Sequence, residues 1–431
     1  MYYEPLLQKI RDKSAVLGVI GLGYVGLPLA VEKALAGYRV IGFDVMQSRV
    51  DLINSGKNYI SDVSGQSFDT VVKNKSLEAT CDSTRISECD CIAVCVPTPL
   101  DHYFQPDISC LVSSAEDVVT NSHKGMLIVL ESTTYPGTTE EVIGSRLAKK
   151  GYTIGEDVFL AFSPERVDPG NAVYKTKNTP KVVGGVTKNC TALAKELYSS
   201  VLESEIFTTS SPRVAEMEKI FENTFRNINI ALANEMAVLC KKMDIPVWEV
   251  IDAAKSKPYG FMAFYPGPGM GGHCIPIDPF YLTWKAREFN YHTKLIEVAG
   301  EINNGMPDYV ISRVADQLNT CKKAINGSKV LVLGLAYKPD IDDIRESPSI
   351  KLIEILMQKG AVVSYNDPYA PAYNAFKSVE ITKQSLFDAD IVLIATNHSA
   401  YDARFIVDNS KLVFDSRNLT SGIESDNLQK L

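Results

Sequence analysis

The chain repeats one hydrophobic pattern near its two ends: a short apolar run, a helix-length amphipathic stretch and a second apolar run. Near the N-terminus, residues 15–20 are apolar and partly β-branched, a helical stretch reaches about residue 36, and residues 38–43 form the second run. Continuous apolar runs of this length are typical of parallel strands that are buried on both faces. Further strands are predicted at residues 91–96, 127–131 and 158–162.

The same order returns near the C-terminus. Residues 329–335 are apolar, residues 348–359 have a helical period, and residues 361–367 form a second run. The run at residues 389–395 resembles the run at residues 89–95. Strands that alternate with helices favour a parallel sheet. We therefore predict an α/β protein with two Rossmann-like parallel-sheet domains.

One long helix is predicted between these two parts. Residues 211–242 contain no glycine or proline after Pro212 and are rich in Ala, Glu, Met and Asn at helical spacing. An uninterrupted stretch of this kind indicates a single helix. We expect it to join the two Rossmann-like domains and to offer a face for dimer formation.

Composition narrows the class of protein. The 431 residues are 45% hydrophobic and 22% charged, as in ordinary globular enzymes of two or three domains. A net charge of -8 without a basic stripe argues against nucleic acid and membrane surfaces as partners. No apolar run is long enough for a membrane span or a signal peptide. Nine scattered cysteines favour a reducing cytoplasm, and no metal site is expected.

The first strand–helix turn carries a dinucleotide fingerprint. Gly21 permits a tight turn, Gly23 lets a pyrophosphate approach the backbone, and Gly26 lets the following helix pack closely on the strand. Asp44 ends the second strand, where it would bind an adenosine ribose diol and repel a 2′-phosphate. NAD is therefore favoured over NADP, although Arg49 lies only five residues further on.

Several side chains outside this fingerprint could carry chemistry. Cys274 follows a glycine-rich run and precedes Asp278 by one helical turn, which presents a thiol for reaction, or else for packing. Lys219 and Asn223 share one face of the predicted long helix, where they would line a cleft or form a solvated stripe.

Two further polar groups follow predicted strands. Glu165 lies just beyond the strand at residues 158–162, and Thr133 lies just beyond the strand at residues 127–131. Parallel sheets bind their ligands at the carboxyl ends of strands. Both side chains are therefore candidates for ligand contact.

Together these segments resemble, in order and over nearly the whole chain, the nucleotide-diphosphosugar 6-dehydrogenases, the UDP-glucose/GDP-mannose dehydrogenase family. Within the family, the run at residues 265–281, with Met270 and His273, most resembles UDP-N-acetylglucosamine 6-dehydrogenases. The motifs that carry the resemblance are residues 21–28, 96–99 and 163–165, Lys219 with Asn223, residues 271–274 with Asp278, and residues 336–340 and 345–347.

The resemblance implies a four-electron oxidation of a UDP-sugar C6 alcohol to a carboxylate, with two NAD⁺ and no release of the aldehyde. A thiolate adds to the aldehyde, and the thiohemiacetal is oxidised to a thioester that water then hydrolyses. The implied catalytic residues are Cys274 as nucleophile, Lys219 at the oxyanions, Asp278 activating or orienting water, Asn223 and Thr133 positioning water or substrate, and Glu165 in proton transfer.

The resemblance also implies two sets of binding residues. Those for the cofactor are Gly21, Gly23, Tyr24, Val25, Gly26, Asp44, Arg49, Thr98, Thr133 and Arg345. Those for the UDP-sugar are Glu165, Arg166, Lys219, Asn223, Tyr265, Gly267, Gly271, Tyr337, Lys338 and Arg417. Lys338 and Arg417 supply the local cations that a diphosphate requires from an acidic protein.

Three domains follow from this assignment: residues 1–208 bind NAD, residues 209–306 form a helical dimerisation and catalytic domain, and residues 307–431 form a Rossmann-like UDP-sugar domain. The last of these lacks the three-glycine pattern after Gly334, so its ligand is not a dinucleotide. We expect a homodimer or a higher homo-oligomer. Lys257 or Tyr259 would replace an arginine that many relatives extend to a neighbouring subunit.

Alternative functions remain open at this point. UDP-glucose, UDP-N-acetylmannosamine and UDP-N-acetylgalactosamine differ from UDP-N-acetylglucosamine only in substituents that the sequence does not resolve. A single-step NAD-dependent hydroxyacid dehydrogenase would need neither Cys274 nor Lys338, and an NAD-binding regulatory protein would turn over no sugar. The leading hypothesis is a UDP-N-acetylglucosamine 6-dehydrogenase for surface polysaccharide synthesis.

Overall fold

The structure, a computed structural model, describes residues 1–60, 62–101, 105–168, 170–171, 173–272 and 274–431. His273, which the sequence singled out beside the cysteine, lies outside the described residues. The chain divides into two compact units. The first comprises Met1–Glu222 and Trp284–Asn290, and the second comprises Asn223–Thr283 and Tyr291–Leu431.

The first unit is built on a sheet of eight strands among its described residues, in the order β3-β2-β1-β4-β5-β6-β7-β8. The first six follow the Rossmann order, and all neighbours are parallel except β6 and β7. The strands are β1 (Val16–Ile20), β2 (Arg39–Phe43), β3 (Leu77–Thr80), β4 (Cys91–Val94), β5 (Leu127–Leu130), β6 (Phe159–Phe162), β7 (Lys181–Gly185) and β8 (Ile206–Thr209).

Helices cover both faces of this sheet. Successive strand residues point to opposite faces, so Leu17 and Val19 join one buried cluster while Ile92 and Val94 join another. This two-sided burial explains why the strands read as continuous apolar runs. The helices are α1 (Tyr3–Arg11), α2 (Gly26–Leu35), α3 (Gln47–Asn54), α4 (Gly65–Lys73), α5 (Ser109–Asn121), α6 (Ser145–Lys149) and α7 (Lys188–Ser199), with a π-helical turn at Thr139–Gly144 and a 3₁₀ helix at Ser83–Glu88.

The predicted long helix is observed as α8 (Pro212–Lys242). It begins in the first unit and continues into the second, whose first residue is Asn223. The other helices after it are α9 (Val247–Ala254), α10 (Asp278–Ala286), α11 (Lys294–Thr320), α12 (Pro348–Gln358), α13 (Lys383–Asp388) and α14 (Ala403–Asn409), with a short 3₁₀ helix at Arg287–Phe289.

The second unit contains a parallel sheet in the order β10-β9-β13-β14-β15. Its strands are β9 (Lys329–Leu333), β10 (Val362–Asn366), β13 (Ile391–Ile394), β14 (Val413–Asp415) and β15 (Leu428–Lys430), and a small hairpin joins β11 (Ala372–Tyr373) to β12 (Phe376–Lys377). The predicted fold class, two Rossmann-like parallel-sheet domains joined by a long helix, is confirmed.

The second sheet differs from the first where a dinucleotide would approach. Asp367 follows β10 as Asp44 follows β2, and it accepts hydrogen bonds from the backbone N–H groups of Leu335 (2.6 Å) and Ala336 (2.8 Å). A Cβ on Gly334 would lie 2.3 Å from Cβ of Thr396. Because protein atoms fill this turn, it offers no pyrophosphate cradle of the kind found in the first unit.

In the part of the chain that the structure describes, no helix combines the length and the apolar character that a bilayer crossing requires.

Candidate active site

The glycines of the first strand–helix turn have three different surroundings. Gly21 has a φ of +87°, and a Cβ there would lie 2.6 Å from the carbonyl oxygen of Cys95. A Cβ on Gly26 would lie 1.8 Å from the carbonyl oxygen of Gly21, which demonstrates how closely α2 packs on the turn. A Cβ on Gly23 would meet no atom within 4 Å. The open side at Gly23, in front of the N-terminus of α2, fits a pyrophosphate.

Asp44 lies at the carboxyl end of β2, as the fingerprint predicts. Its carboxylate is largely buried and accepts hydrogen bonds from the backbone N–H groups of Leu22 (3.0 Å) and Met46 (2.9 Å). Nη1 of Arg49 lies 3.2 Å from the same carboxylate. The arginine therefore balances the charge of Asp44, and Tyr24 and Val25 are half-buried in the turn beside it.

Thr98 and Thr133 come from the loops that follow two neighbouring strands, β4 and β5. Oγ1 of Thr98 donates a hydrogen bond of 2.7 Å to the carbonyl oxygen of Thr133. Both threonines are half-buried at the carboxyl edge of the sheet. The structure thus brings these two predicted residues together within the first unit.

Glu165 follows β6 and is held from two directions. Its Oε1 accepts hydrogen bonds of 2.8 Å from the backbone N–H groups of Arg166 and Val167, and its Oε2 lies 3.5 Å from Nζ of Lys181. Burial by itself would raise the pKa of Glu165, but Lys181, the two N–H groups and Lys219 together lower it below its usual value. Glu165 is therefore an ionised carboxylate at neutral pH.

Arg166 is directed away from Glu165. Its guanidinium binds the carboxylate of Glu222 and donates a 3.1 Å hydrogen bond to the carbonyl oxygen of Pro180. Nη2 of Arg166 also lies 3.5 Å from Oε1 of Glu218, one turn of α8 before Glu222. Arg166 thus forms ion pairs with two carboxylates in the first unit, although the sequence assigned it to the substrate.

The predicted polar face of α8 is buried rather than solvated. Lys219 is 9% exposed, in the first unit, and Asn223 is 4% exposed, in the second. Asn227, one turn further on, donates a 3.2 Å hydrogen bond to the carbonyl oxygen of Ile275, next to Cys274. A solvated stripe on this face of α8 is therefore excluded.

Cys274 precedes the first turn of α10. Its carbonyl oxygen accepts a 2.8 Å hydrogen bond from the backbone N–H of Asp278, so the two residues are one turn apart, as predicted. Nδ2 of Asn223 donates a 2.5 Å hydrogen bond to Oδ2 of Asp278. The thiol-bearing residue is half-buried. The second unit therefore places a carboxylate one helical turn after the cysteine and joins it to an amide from α8.

The glycines before Cys274 are required by the protein itself as well as by any ligand. A Cβ on Gly271 would lie 2.5 Å from Cβ of Tyr337, and one on Gly272, where φ is +87°, would lie 3.1 Å from the Tyr337 ring. The resemblance assigned Gly271 to contact with the UDP-sugar. In the structure, the side chain of Tyr337 occupies that side of Gly271 and Gly272.

The remaining residues assigned to the UDP-sugar lie in the second unit. Arg417 packs against Gly267, where a Cβ would lie 2.5 Å from Nη1, and its Nε donates a 3.0 Å hydrogen bond to the carbonyl oxygen of Ala395. Burial, opposed by Asp415, lowers the pKa of Arg417 to about 10, so it remains a cation at neutral pH.

Three other predicted binding residues lie in the second unit. Tyr265 stacks on Trp248 with ring centroids 6.0 Å apart. Lys338 is half-buried in the loop after β9. Arg345, assigned to the cofactor, pairs with Asp343 through contacts of 2.6 and 2.9 Å.

Sequence reasoning missed several buried polar residues beside these sites. Glu216 is fully buried on α8 and accepts hydrogen bonds from Thr139, through both N–H (2.8 Å) and Oγ1 (2.6 Å). Lys181 and Glu131 form a buried ion pair of 2.7 Å. A charged residue at the end of an apolar strand run, as in Lys181 and Glu131, was the signal that could have found them.

Among the residues that the structure describes, no group of three or more His, Cys, Asp and Glu side chains is arranged to hold a metal ion.

Comparison with known proteins covers nearly the whole chain. Residues 15–202, 213–305 and 331–422 match, respectively, the NAD binding, central and UDP binding domains of the UDP-glucose/GDP-mannose dehydrogenase family. The chain is 33% identical to a UDP-N-acetyl-D-glucosamine 6-dehydrogenase of Pseudomonas aeruginosa, over 93% of this chain and 99% of that protein. It is 37% identical to a UDP-N-acetyl-D-mannosamine dehydrogenase of Escherichia coli K12, over 90% and 94%.

Solved structures give the same picture. A UDP-D-ManNAc dehydrogenase from Pyrococcus horikoshii aligns with a TM-score of 0.89 at 32% identity, covering 96% of this chain and 98% of that one. Relatives that act on different N-acetylated sugars are thus similar to this chain to about the same degree.

Proposed function

The chain belongs to the UDP-glucose/GDP-mannose dehydrogenase family, and we propose that it oxidises the C6 hydroxyl of UDP-N-acetyl-D-glucosamine to a carboxylate. Membership makes it an NAD-dependent oxidoreductase of the UDP-sugar dehydrogenase class. The observation that carries the proposal is the buried hydrogen bond from Asn223 to Asp278, one helical turn beyond Cys274. A single-step alcohol oxidation needs no such water-directing pair beside a cysteine.

The nucleotide turn of the first unit has the shape that the cofactor requires. Gly23 leaves its side open for the pyrophosphate, and the carboxylate of Asp44 is placed to accept hydrogen bonds from the adenosine ribose. When bound, NAD⁺ accepts a hydride from the sugar C6 in each of two successive oxidations. Thr98 and Thr133, joined by their hydrogen bond, are proposed to contact it from the strand ends.

The first half of the proposed reaction converts the alcohol to an aldehyde. The C6 hydroxyl gives its proton to a water molecule as C6 gives a hydride to NAD⁺, and the ammonium group of Lys219 stabilises the negative charge that develops on the oxygen. Lys219 is buried, so its charge acts in a medium that screens little. The aldehyde remains bound.

The second half runs through a covalent intermediate. The thiolate of Cys274 bonds to the aldehyde carbon, and loss of the second hydride from the thiohemiacetal leaves a thioester. Water, oriented by Asp278 and Asn223, then adds to the carbonyl carbon and gives its proton to the carboxylate of Glu165. The carbon–sulfur bond breaks, the uronate leaves, and Cys274 is regenerated.

The UDP group is proposed to bind the last domain. The basic side chains of Lys338 and Arg417 suit a diphosphate, while Tyr265, with Gly267 and Gly271, would contact the nucleotide sugar. The assignment of residues 1–208 to NAD binding, 209–306 to catalysis and dimer formation, and 307–431 to UDP-sugar binding belongs to this proposal. The family's three matched domains carry corresponding names.

A homodimer formed through α8 is part of the proposal. Exposed apolar side chains recur on this helix at intervals of three, four or seven residues, which places them on one face. They are Val214, Met217, Phe221, Phe225, Leu232 and Leu239, and Met243, directly after the helix, continues the series. An exposed apolar stripe of this length is typical of an interface. We also propose that the enzyme works in the cytoplasm, where nucleotide sugars for surface polysaccharides are made.

The choice of sugar rests on the glycine-rich run before Cys274. That run resembles UDP-N-acetylglucosamine 6-dehydrogenases, and relatives of both the gluco and manno type support an N-acetylated hexose. UDP-N-acetylmannosamine is the second candidate substrate because relatives with that name are equally similar to this chain.

The deciding experiment incubates the protein with NAD⁺ and each of four UDP-sugars: N-acetylglucosamine, N-acetylmannosamine, N-acetylgalactosamine and glucose. We expect two NADH per sugar and the largest kcat/KM for UDP-N-acetylglucosamine. A ratio of one NADH per sugar would contradict the covalent mechanism. A larger kcat/KM for another UDP-sugar would make that sugar the substrate in place of UDP-N-acetylglucosamine. No turnover of any UDP-sugar would refute the proposed function.

A further inference from the structure

A buried group of charged residues lies beneath the carboxyl edge of the first sheet. Nζ of Lys181 lies 2.7 Å from Oε2 of Glu131 and 3.5 Å from Oε2 of Glu165, and it donates a 3.3 Å hydrogen bond to the carbonyl oxygen of Pro164. The hydroxyl of Tyr198 donates to the other oxygen of Glu131. Lys181 and Glu131 are 5% and 1% exposed, so this group is shielded from water.

Strand direction explains why these residues meet. Glu131 directly follows β5, and Glu165 follows β6 by three residues. Strand β7 runs antiparallel to β6, with Phe162 opposite Gly184. Continued by three residues, this register sets Glu165 opposite Lys181, the first residue of β7. The antiparallel strand thus brings a lysine to the edge where parallel strands present their ligand-binding residues.

The charges of this group favour an anionic Glu165. A buried carboxylate is costly unless a cation or hydrogen-bond donors surround it. Lys181 is the nearest cation to Glu165, and the backbone N–H groups of Arg166 and Val167 occupy its other oxygen. Lys219 also acts on Glu165 from α8, and Glu131 is influenced by Lys33 from α2 and by Cys95, directly after β4.

A small cavity adjoins this contact. Glu165, Arg166 and Lys181 line it together with Thr176 and Thr179. This cavity leaves open space beside the contact between Glu165 and Lys181.

We propose that Lys181 is a positioning residue for the hydrolytic step: it fixes the carboxylate of Glu165 and keeps it anionic, and Glu131 with Tyr198 holds Lys181 in place. The inference rests on the proposed function, in which Glu165 accepts a proton from the water that attacks the thioester. Without the ammonium group of Lys181, a larger fraction of Glu165 would be protonated at a given pH and unable to accept that proton.

The first test compares Lys181→Met with Lys181→Arg in the pH dependence of kcat for uronate formation. In Lys181→Met, we expect the fall of kcat at acid pH to occur about one pH unit higher than in the wild type. KM for the sugar should be nearly unchanged. In Lys181→Arg, this acid limb of the pH profile should lie at its wild-type position. Lys177→Met, an exposed lysine paired with Glu203, is the matched control and should keep the wild-type profile.

Loss of Lys181 also leaves Glu131 without its cation, so the single variant could fail to fold. The double variant Glu131→Gln/Lys181→Met removes both charges and restores the balance. It should fold and still show the displaced acid limb. An acid limb at the wild-type position in the folded double variant would overturn the proposal.

A second measurement does not depend on activity. Melting temperatures of wild type, Lys181→Met, Glu165→Gln and the corresponding double variant form a cycle at pH 7. We expect the melting temperature of the double variant to fall by less than the sum of the decreases in the two single variants, because each single change leaves a charge unbalanced. Additive losses would overturn the role of Lys181. Coupling without turnover of any UDP-sugar would instead refute the proposed function alone.

Discussion

Nδ2 of Asn223 donates a 2.5 Å hydrogen bond to Oδ2 of Asp278, and both side chains are almost fully buried in the second unit. The backbone N–H of Asp278 is bonded in turn to the carbonyl oxygen of Cys274 at 2.8 Å. The amide therefore fixes Oδ2 of the carboxylate, and this also fixes the orientation of Oδ1. A carboxylate held in this way can direct a water molecule towards a group on the cysteine.

We expect Asn223→Ala to reduce kcat by about a hundredfold while KM for the sugar changes little, because an orienting donor is lost from the hydrolytic step. Steady-state NADH formation measures both constants. Asn229→Ala is the control on the same helix, since its amide donates a 2.7 Å hydrogen bond to the carbonyl oxygen of Phe225 in the preceding turn. A rise in KM with unchanged kcat would indicate a substrate-binding role instead.

Replacement of the cysteine tests the covalent step. We expect Cys274→Ser to reduce uronate formation by roughly a thousandfold or more, because an alkoxide is formed and released far less readily than a thiolate. Uronate is measured by mass spectrometry after incubation with the UDP-sugar and NAD⁺. Cys110→Ser changes an exposed cysteine of the first unit and should retain full activity. Normal uronate formation by Cys274→Ser would contradict a thioester.

Two glycines of the nucleotide turn should respond differently to the same change. A Cβ on Gly26 would lie 1.8 Å from the carbonyl oxygen of Gly21, so Gly26→Ala should lower the free energy of unfolding by about 1–3 kcal/mol. A Cβ on Gly23 meets nothing within 4 Å, so Gly23→Ala should keep the melting temperature.

The cost of Gly23→Ala should appear in cofactor binding, as an increase of about tenfold in KM for NAD⁺, because the methyl group faces the pyrophosphate. Thermal unfolding and initial rates distinguish the two effects. An unchanged KM for NAD⁺ in Gly23→Ala would place the cofactor elsewhere.

Glu218 and Glu222 are neighbouring carboxyl groups on α8, and we expect them to make the stability of the protein depend on pH. Burial, and then the neighbouring Glu222, raise the pKa of Glu218 from 4.5 to about 7, against the influence of Arg166 and Lys219. In this range the folded state binds more protons than the unfolded state, so the contribution of Glu218 to stability falls as the pH rises from about 4.5 to 7.

Glu218→Gln removes this charge with little change of shape. We expect its melting temperature to exceed that of the wild type by about 3 °C at pH 8 and to match it near pH 4.5. Glu235→Gln, at an exposed position on the same helix, should show no such pH-dependent difference. An equal difference between Glu218→Gln and wild type at both pH values would show that Glu218 does not titrate in this range.

The sequence by itself determined the features that depend on near neighbours. Apolar runs of strand length, the glycine spacing up to Gly26, the acid at Asp44 and the one-turn separation of Cys274 from Asp278 are all local. Local features are readable because helical and strand periods act over a few residues. The fold class, the NAD site and the family followed from them.

Only the tertiary structure decided which distant residues meet. Tyr337 fills the space beside Gly271, Asn223 reaches Asp278 across 55 positions, and Lys181 comes to Glu165 because β7 reverses direction beside β6. Strand order and direction are set by the burial of both sheet faces over the whole unit, which no local pattern encodes. The sequence therefore identified Glu165 as a candidate residue, but only the tertiary structure showed which groups keep its carboxylate ionised.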